Sequence, residues 1–258
     1  SKQDFWVIKS KKLSKIKKLK HGFFNSKGGI SKNIYKSLNC GPGSKDKPSN
    51  VRKNLKLVKK KIKNSARDIF LLNQIHSNKF IYVDEKYQFK SKPKVDAVIT
   101  NQKNLPIAIL TADCVPILIC DSQKKIIAAI HAGWKGAYKG IVDKVIKFMI
   151  KKGSKPKNIT AVIGPSIAID NYEVQKDFKN KFLKKDKRNK IFFRIKHKKL
   201  YFDLSNYVKS ILLKNKLKKI EKIKIDTFDF RNKFFSARRA LSLKHDDYGR
   251  NISIIMLN

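Results

Sequence analysis

Between Val115 and Ile130 the chain reads VPILIC, then DSQKK, then IIAAI: two apolar, β-branched stretches joined by a short polar one. Nothing else in the sequence constrains the fold as tightly, because two such stretches with turn-forming residues between them read as an antiparallel hairpin. Further runs of the same kind, DIFLL, FIYV, DAVIT, PIAIL, ITAVIG, IKIDTF and ISIIML, are spread over residues 68–257. Helical periodicity separates them. SNVRKNLKLVKKKIK sets Val51, Leu55, Val58 and Ile62 on one face, with Ser49 or Asn50 as N-cap. GIVDKVIKFMIKKG sets Ile141, Val145, Phe148 and Met149 on another and stops at Gly153. YEVQKDFKNKFL and DLSNYVKSILLKNKL read as two more amphipathic helices. The expected fold class is therefore α/β (α+β): one layered domain over residues 1–258, with mixed, packed β-sheets flanked by helices.

The 62 Lys and Arg against 19 Asp and Glu give a formal charge of +43. These cations are nearly all lysines and occur in every segment, so they describe a solvated basic surface rather than a nucleic-acid groove. Salt-sensitive adhesion to polyanions is expected, but no specific nucleic-acid partner. The opening SKQDFWVIKSKK lacks the apolar run of a leader, and no later stretch approaches the roughly 18 apolar residues of a membrane span. Three cysteines make no disulfide framework. A cytoplasmic protein without a membrane partner is expected.

Within the hairpin, a two-residue loop at Ser122–Gln123 would pair residues whose numbers sum to 245, and Cys114 and His131 do so. They would then face each other on one side of the sheet, as two ligands of one metal or as a thiolate beside its base. His76, at the end of the run LLNQIH, is a third candidate. Two His and one Cys leave a tetrahedral ion one open position, the arrangement of catalytic sites. Spacings of 38 and 17 residues are no local zinc signature. By themselves these residues favour a plainer reading: a small buried thiol, a satisfied core imidazole and a surface histidine. HAGWKG, at 131–136, leaves a strand and opens a helix, whose start could accept an anion or whose glycines could simply permit the bend. VIGPS, at 162–166, has a similar form, and FFSARRA, at 234–240, offers two arginines, of which strand alternation would send one into a site.

Taken together, HGFF…KGGISKNIYKSLNCG (21–41), NQIHS (73–77), TADCVPIL (111–118), HAGWKG (131–136), IGPSI (163–167), YEV (172–174) and FFSARRA…GR (234–250) resemble the bacterial polyphenol-oxidoreductase-like family. That family has been described both as laccases and as purine nucleoside phosphorylases, with relatives discussed as peptidoglycan-editing factors. The resemblance implies a three- or four-layered α/β fold and a metal site of His76, Cys114 and His131, with Zn2+ as the ion and Cu2+ as the alternative. It implies phosphorolysis of adenosine, inosine and methylthioadenosine, and deamination of adenosine. The same three residues would be catalytic, with Asp113, Gly133, Trp134 and Arg238 binding substrate. The partners would be a purine nucleoside and phosphate, and the chain a monomer or homodimer. Ser26, Leu55, Ser166 and Asp226 stand where the family pattern has other residues, two of them arginines.

A laccase needs several coppers and about ten histidine ligands, whereas this chain has five histidines. Two other readings remain: a cysteine amidase or hydrolase acting on peptidoglycan precursors, with Cys114 as nucleophile and His131 as base, and a basic nucleic-acid-binding module.

Overall fold

The structure is a computed structural model that describes residues 6–258. Along the chain the strands are β1 (Val7–Ile8), β2 (Leu19–Phe24), β3 (Phe80–Val83), β4 (Ala97–Thr100), β5 (Ile107–Thr111), β6 (Val115–Asp121), β7 (Ile126–Ala132), β8 (Ile159–Ile163), β9 (Glu173–Val174), β10 (Phe193–Lys196), β11 (Lys199–Phe202), β12 (Lys219–Lys222) and β13 (Asn251–Leu257). The α-helices are α1 (Lys11–Ser14), α2 (Pro48–Lys63), α3 (Trp134–Tyr138), α4 (Ile141–Lys151), α5 (Lys176–Lys185), α6 (Leu204–Lys214) and α7 (Ala237–Ser242). The strands make a mixed six-stranded sheet in the order β12-β8-β6-β7-β4-β3, an antiparallel four-stranded sheet β1-β2-β13-β5, and a small antiparallel sheet β10-β11-β9.

The hydrophobic contacts stack these elements in four layers. Period-two alternation sends Leu118, Cys120, Ile127 and Ala129 of the large sheet against Phe23, Ile107, Ile109 and Ile255 of the four-stranded one. The other face of the large sheet, with Ile117, Ile119, Ala128 and Ile130, is covered by Ile141, Val145 and Met149 of α4 and by Val208 and Leu212 of α6. The far face of the four-stranded sheet, with Ala108, Ile252, Ile254 and Met256, takes Val58 and Ile62 of α2. This is the expected class of mixed, packed sheets flanked by helices. No helix among the described residues is long and apolar enough to cross a membrane. The opening SKQDFWVIKSKK was read for a leader, and its first five residues lie outside the described ones.

Several local expectations are corrected. The β6–β7 loop has four residues, Ser122–Lys125, because Asp121 Oδ1 accepts from the backbone of both Gln123 (3.0 Å) and Lys124 (3.1 Å) and Lys125 takes a left-handed φ of 52°. His131 therefore pairs with Pro116 rather than with Cys114. The shift is two residues, an even number, so Cys114 and His131 still point to the same face. Helix α2 is capped by Lys47 with Pro48 in its first turn, not by Ser49 or Asn50, and it buries Asn54 where Leu55 was expected. Asn54 donates to Ser31 Oγ (2.9 Å) and the carbonyl of Asn39 (2.8 Å), and accepts from Ile30 N (2.9 Å). DIFLL contributes only an isolated bridge, Phe70 to Ile107, and IKIDTF only Asp226 to Ser166. LKHGFF, which reads as no strand because Lys, His and Gly interrupt its apolar run, forms β2; its buried His21 accepts from Ser10 N at 2.8 Å. The segment read as a helix from Tyr172 starts only at Lys176, since Glu173 and Val174 pair with β11.

The contact between the two larger sheets gives a measurable expectation. Phe23 is 1% exposed, so Phe23→Ala should lower unfolding stability by ~3–5 kcal/mol in urea titrations. Leu213→Ala, at a position 54% exposed, should change it by less than about 0.5 kcal/mol.

Candidate metal centre and active-site cleft

Asp96 stands just before β4, and His131 is the last residue but one of β7, the strand beside it. His131 N donates to the Asp96 carbonyl (2.8 Å), and its ring Nδ1 lies 2.8 Å from Asp96 Oδ1. A carboxylate there holds the proton on Nδ1 and leaves Nε2 as the coordinating atom. The same carboxylate accepts from the backbone of Ile75 (3.3 Å), His76 (3.0 Å) and Ser77 (2.6 Å) and from the Ser77 hydroxyl (2.6 Å). These bonds fold residues 75–77 into a turn in which His76 adopts a left-handed φ of 57°.

Cys114 is delivered by a second strained residue. Asp113 has a φ of 92°, costly for a residue with a Cβ. Its buried carboxylate is held by Thr227 Oγ1 (2.7 Å), Ser236 Oγ (2.9 Å) and the backbone N–H of Arg238 (2.7 Å). Burial pushes this carboxyl above the usual range, against the pull of those donors. Gly133 supplies space: a Cβ there would lie 3.0 Å from Cys114 Sγ and 3.1 Å from the His76 ring.

The ligand atoms of His76, Cys114 and His131 come within 4.8 Å of one another, with Cys114 Sγ 4.0 Å from His76 Nε2. Ligands about 2.0–2.3 Å from one tetrahedral ion stand roughly 3.3–3.7 Å apart, so small side-chain rotations close the set on a single metal. Burial pushes the Cys114 thiol up, but the charge and hydrogen bond of His131, with help from His76, outweigh it and hold the thiol well below its usual range. Burial likewise pushes His131 down, while the Cys114 thiolate and the Asp96 carboxylate raise it above the usual imidazole range. The donor set is thus one thiol and two imidazoles, one of them oriented by a buried carboxylate. Of the other histidines, His21 is buried in β2, whereas His197 and His245 are exposed; among the described residues no second group of three His, Cys, Asp or Glu side chains could hold a metal ion.

The triad opens onto a cleft of roughly 530 Å³, whose lining also includes Asn73, Thr111, Tyr248 and Arg250. None of the four residues expected to bind substrate, Asp113, Gly133, Trp134 and Arg238, is part of this lining. The Trp134 ring packs edge-on against Phe178 at 5.0 Å, under the Lys181 ammonium. Arg238 Nη1 donates to the Glu173 carbonyl (2.9 Å), and its guanidinium lies over the Tyr172 ring. The two arginines of FFSARRA sit in the first turn of α7, capped by Ser236, rather than alternating along a strand; Arg239 is tied to the carbonyls of Thr227, Phe228 and Phe234. Helix α3 opens at Gly133 as expected but has only five residues, too few for a strong dipole at its start. Asp226 accepts from Ala168 N and Asn171, and Ser26 donates to the Lys233 carbonyl, so both are loop-fixing groups. Sequence reading missed Asp96, Ser236 and Thr227. Only the DAVIT motif signalled Asp96, and there it looked like the polar edge of a strand.

The four-layered α/β fold brings a His2Cys set together at the rim of its large sheet, a group of residues that could hold a metal ion. The family described as multi-copper polyphenol oxidoreductase laccase matches residues 20–258, and the chain belongs to that family. A Rickettsia conorii protein named purine nucleoside phosphorylase is 41% identical over 189 residues, 72% of this chain and 77% of its own. A Bacteroides thetaiotaomicron protein of the same name is 30% identical over 258 residues, covering 95% and 94%. Among solved structures, the Bacillus licheniformis hypothetical protein YfiH superposes with a TM-score of 0.87 at 27% identity, over 95% of this chain and 94% of that one.

Asp96 gives two expected outcomes. Asp96→Asn should weaken metal binding 10–100-fold in a chelator competition, because the carboxylate charge that orients His131 is lost and an amide nitrogen cannot accept from the donors around Oδ2. Burial raises the Asp96 carboxyl, but its hydrogen bonds to His131 and Ser77 outweigh this and bring it to about 2, from an ordinary 3.8. A depressed carboxylate contributes stability that is present above pH ~4 and is lost as pH falls toward ~2. Acid unfolding of the metal-free protein should therefore show that contribution in the parent and lack it in Asp96→Asn, so that the two curves converge near pH 2.

Proposed function

We propose that the protein is a metal-dependent purine nucleoside phosphorylase, cleaving adenosine, inosine or methylthioadenosine with phosphate, and that it also deaminates adenosine. The observation that carries this reading is the oriented His76–Cys114–His131 set opening onto a cleft of nucleoside size. The names of the Rickettsia and Bacteroides relatives support it. Zn2+ suits two imidazoles and a thiolate better than a harder ion does, with Cu2+ as the alternative, and when bound it supplies a Lewis acid with one free coordination position.

The residues of the chain do the rest. Asp96 keeps the His131 proton on Nδ1, and Asp113 and Gly133 set Cys114 Sγ 4.0 Å from His76 Nε2. Asn73 and Tyr248 add an amide and an aromatic ring to the lining. In phosphorolysis a phosphate oxygen forms a bond to the anomeric carbon as the bond to the base nitrogen breaks; the electron pair leaves with the base, which takes up a proton. Holding phosphate, sugar and base in line makes that exchange effectively unimolecular. Purified protein given adenosine or inosine should release free base only when phosphate is present. Cys114→Ala should lower the rate at least ~100-fold, and turnover at the parental rate by that variant would exclude this mechanism.

A second reading rests on the same pair. Cys114 as a thiolate beside His131, itself backed by Asp96, is also the arrangement of a cysteine hydrolase acting on amide bonds, such as those of peptidoglycan precursors. Hydrolysis that survives complete chelation but is abolished by thiol alkylation would favour that chemistry over the metal-dependent one.

A further inference from the structure

The GR pair at 249–250 is part of no element described so far, yet Arg250 lines the cleft beside the triad. Lys92 adds a second positive charge to the lining, and no aspartate or glutamate is among the described residues that form it. Arg250 is unusually well held for a long side chain. Its backbone N–H donates to Asn39 Oδ1 (2.9 Å), and its carbonyl accepts from Cys40 N (3.1 Å). Its stem packs on Gly41, where a Cβ would come within 2.8 Å of Arg250 Cδ. The guanidinium stacks over Tyr248, 4.0 Å from the ring centre, and Nη1 donates to Asp247 Oδ1 (2.9 Å) and to the Tyr248 carbonyl. Asp247 is fixed in turn by Tyr35 Oη and Lys45 N, each at 2.7 Å.

Both side-chain bonds of Arg250 leave from Nη1, so Nε and Nη2 remain as the donors that match two oxygens of a tetrahedral oxyanion. Arg238 and Arg239 differ in place: neither is part of this lining. Arg250 shares the lining of the cleft with His76, Cys114 and His131, and its neighbour Asn251 pairs with Thr111, three positions before Cys114.

We infer that Arg250, preorganised by Asp247, Tyr248 and Gly41, is the phosphate-binding residue of this cleft, taking a phosphate oxyanion beside the metal ligands. This assignment rests on the phosphorylase reading for its role in turnover, though not for binding itself. Phosphate binding elsewhere on so basic a surface is diffuse, so a control must remove one charge outside the cleft. Arg231, exposed and paired with Asp229, serves for that.

The test compares the metal-loaded parent, Arg250→Gln, Arg250→Lys and Arg231→Gln. In Arg250→Gln the KM for inorganic phosphate should rise by about tenfold or more, while the KM for inosine stays within about twofold. Arg250→Lys, which keeps the charge and loses the fork, should fall between, and Arg231→Gln should match the parent. An unchanged phosphate KM, or two KM values rising together, overturns the assignment. Should the parent cleave no nucleoside, the phosphorylase reading fails by itself, and melting curves then decide the subsite. Stabilisation by phosphate over chloride at equal ionic strength should persist in the parent and Arg231→Gln and vanish in Arg250→Gln; equal stabilisation in all three overturns it. AMP run beside inorganic phosphate separates a nucleotide phosphate from the free ion: loss of stabilisation with either in Arg250→Gln places phosphate chemistry at this residue, and loss with neither removes it.

Discussion

A single buried carboxylate organises the candidate site. Asp96 is fully excluded from solvent and accepts hydrogen bonds from three consecutive backbone N–H groups, one hydroxyl and one imidazole. A buried charge is tolerable only with such a set of donors. Satisfying it forces residues 75–77 to turn back toward β4 and β7, and this brings His76 over His131 with their rings 4.8 Å apart. The same interaction that neutralises the cost of burial thus builds two-thirds of the ligand set.

The remaining third is assembled from more distant parts of the chain. Asp113 holds its φ of 92° because Thr227, Ser236 and the start of α7 all donate to it. The loop after β12 and the turn before α7 are therefore bonded to the residue that carries Cys114. Asn54 does comparable work on the opposite side of the cleft: its amide ties together the backbone from Ile30 to Asn39, just before the Gly41–Gly43 stretch of the lining. Polar residues buried between elements fix the loops, and the loops carry the site.

The high lysine content plays little part in this geometry. Most of its ion pairs are at the surface, such as Lys45–Asp246 and Lys199–Glu173, where solvent screens them and each contributes little. Charge becomes specific only where a cation is immobilised, as Arg250 is between Tyr248 and Asp247.

What the sequence alone determined is the part governed by short periods. Short apolar, β-branched runs marked the core strands β3 to β8 and β13, the spacing of apolar residues marked α4 and α6, and the family pattern singled out His76, Cys114 and His131. The face shared by Cys114 and His131 was legible even though the register was not, because a loop two residues longer preserves parity. Only the tertiary structure decided which polar residues are buried. Leu55 and Asn54 both fit a helical stripe, and the loop packed over them selects Asn54. Nothing in the spacing of DAVIT announces that its aspartate orients a histidine 35 residues away, or that the arginine lining the cleft is Arg250 rather than Arg238. Local pattern reports the direction a side chain takes from its own strand or helix; the partner it meets is set by contacts between segments far apart in the chain.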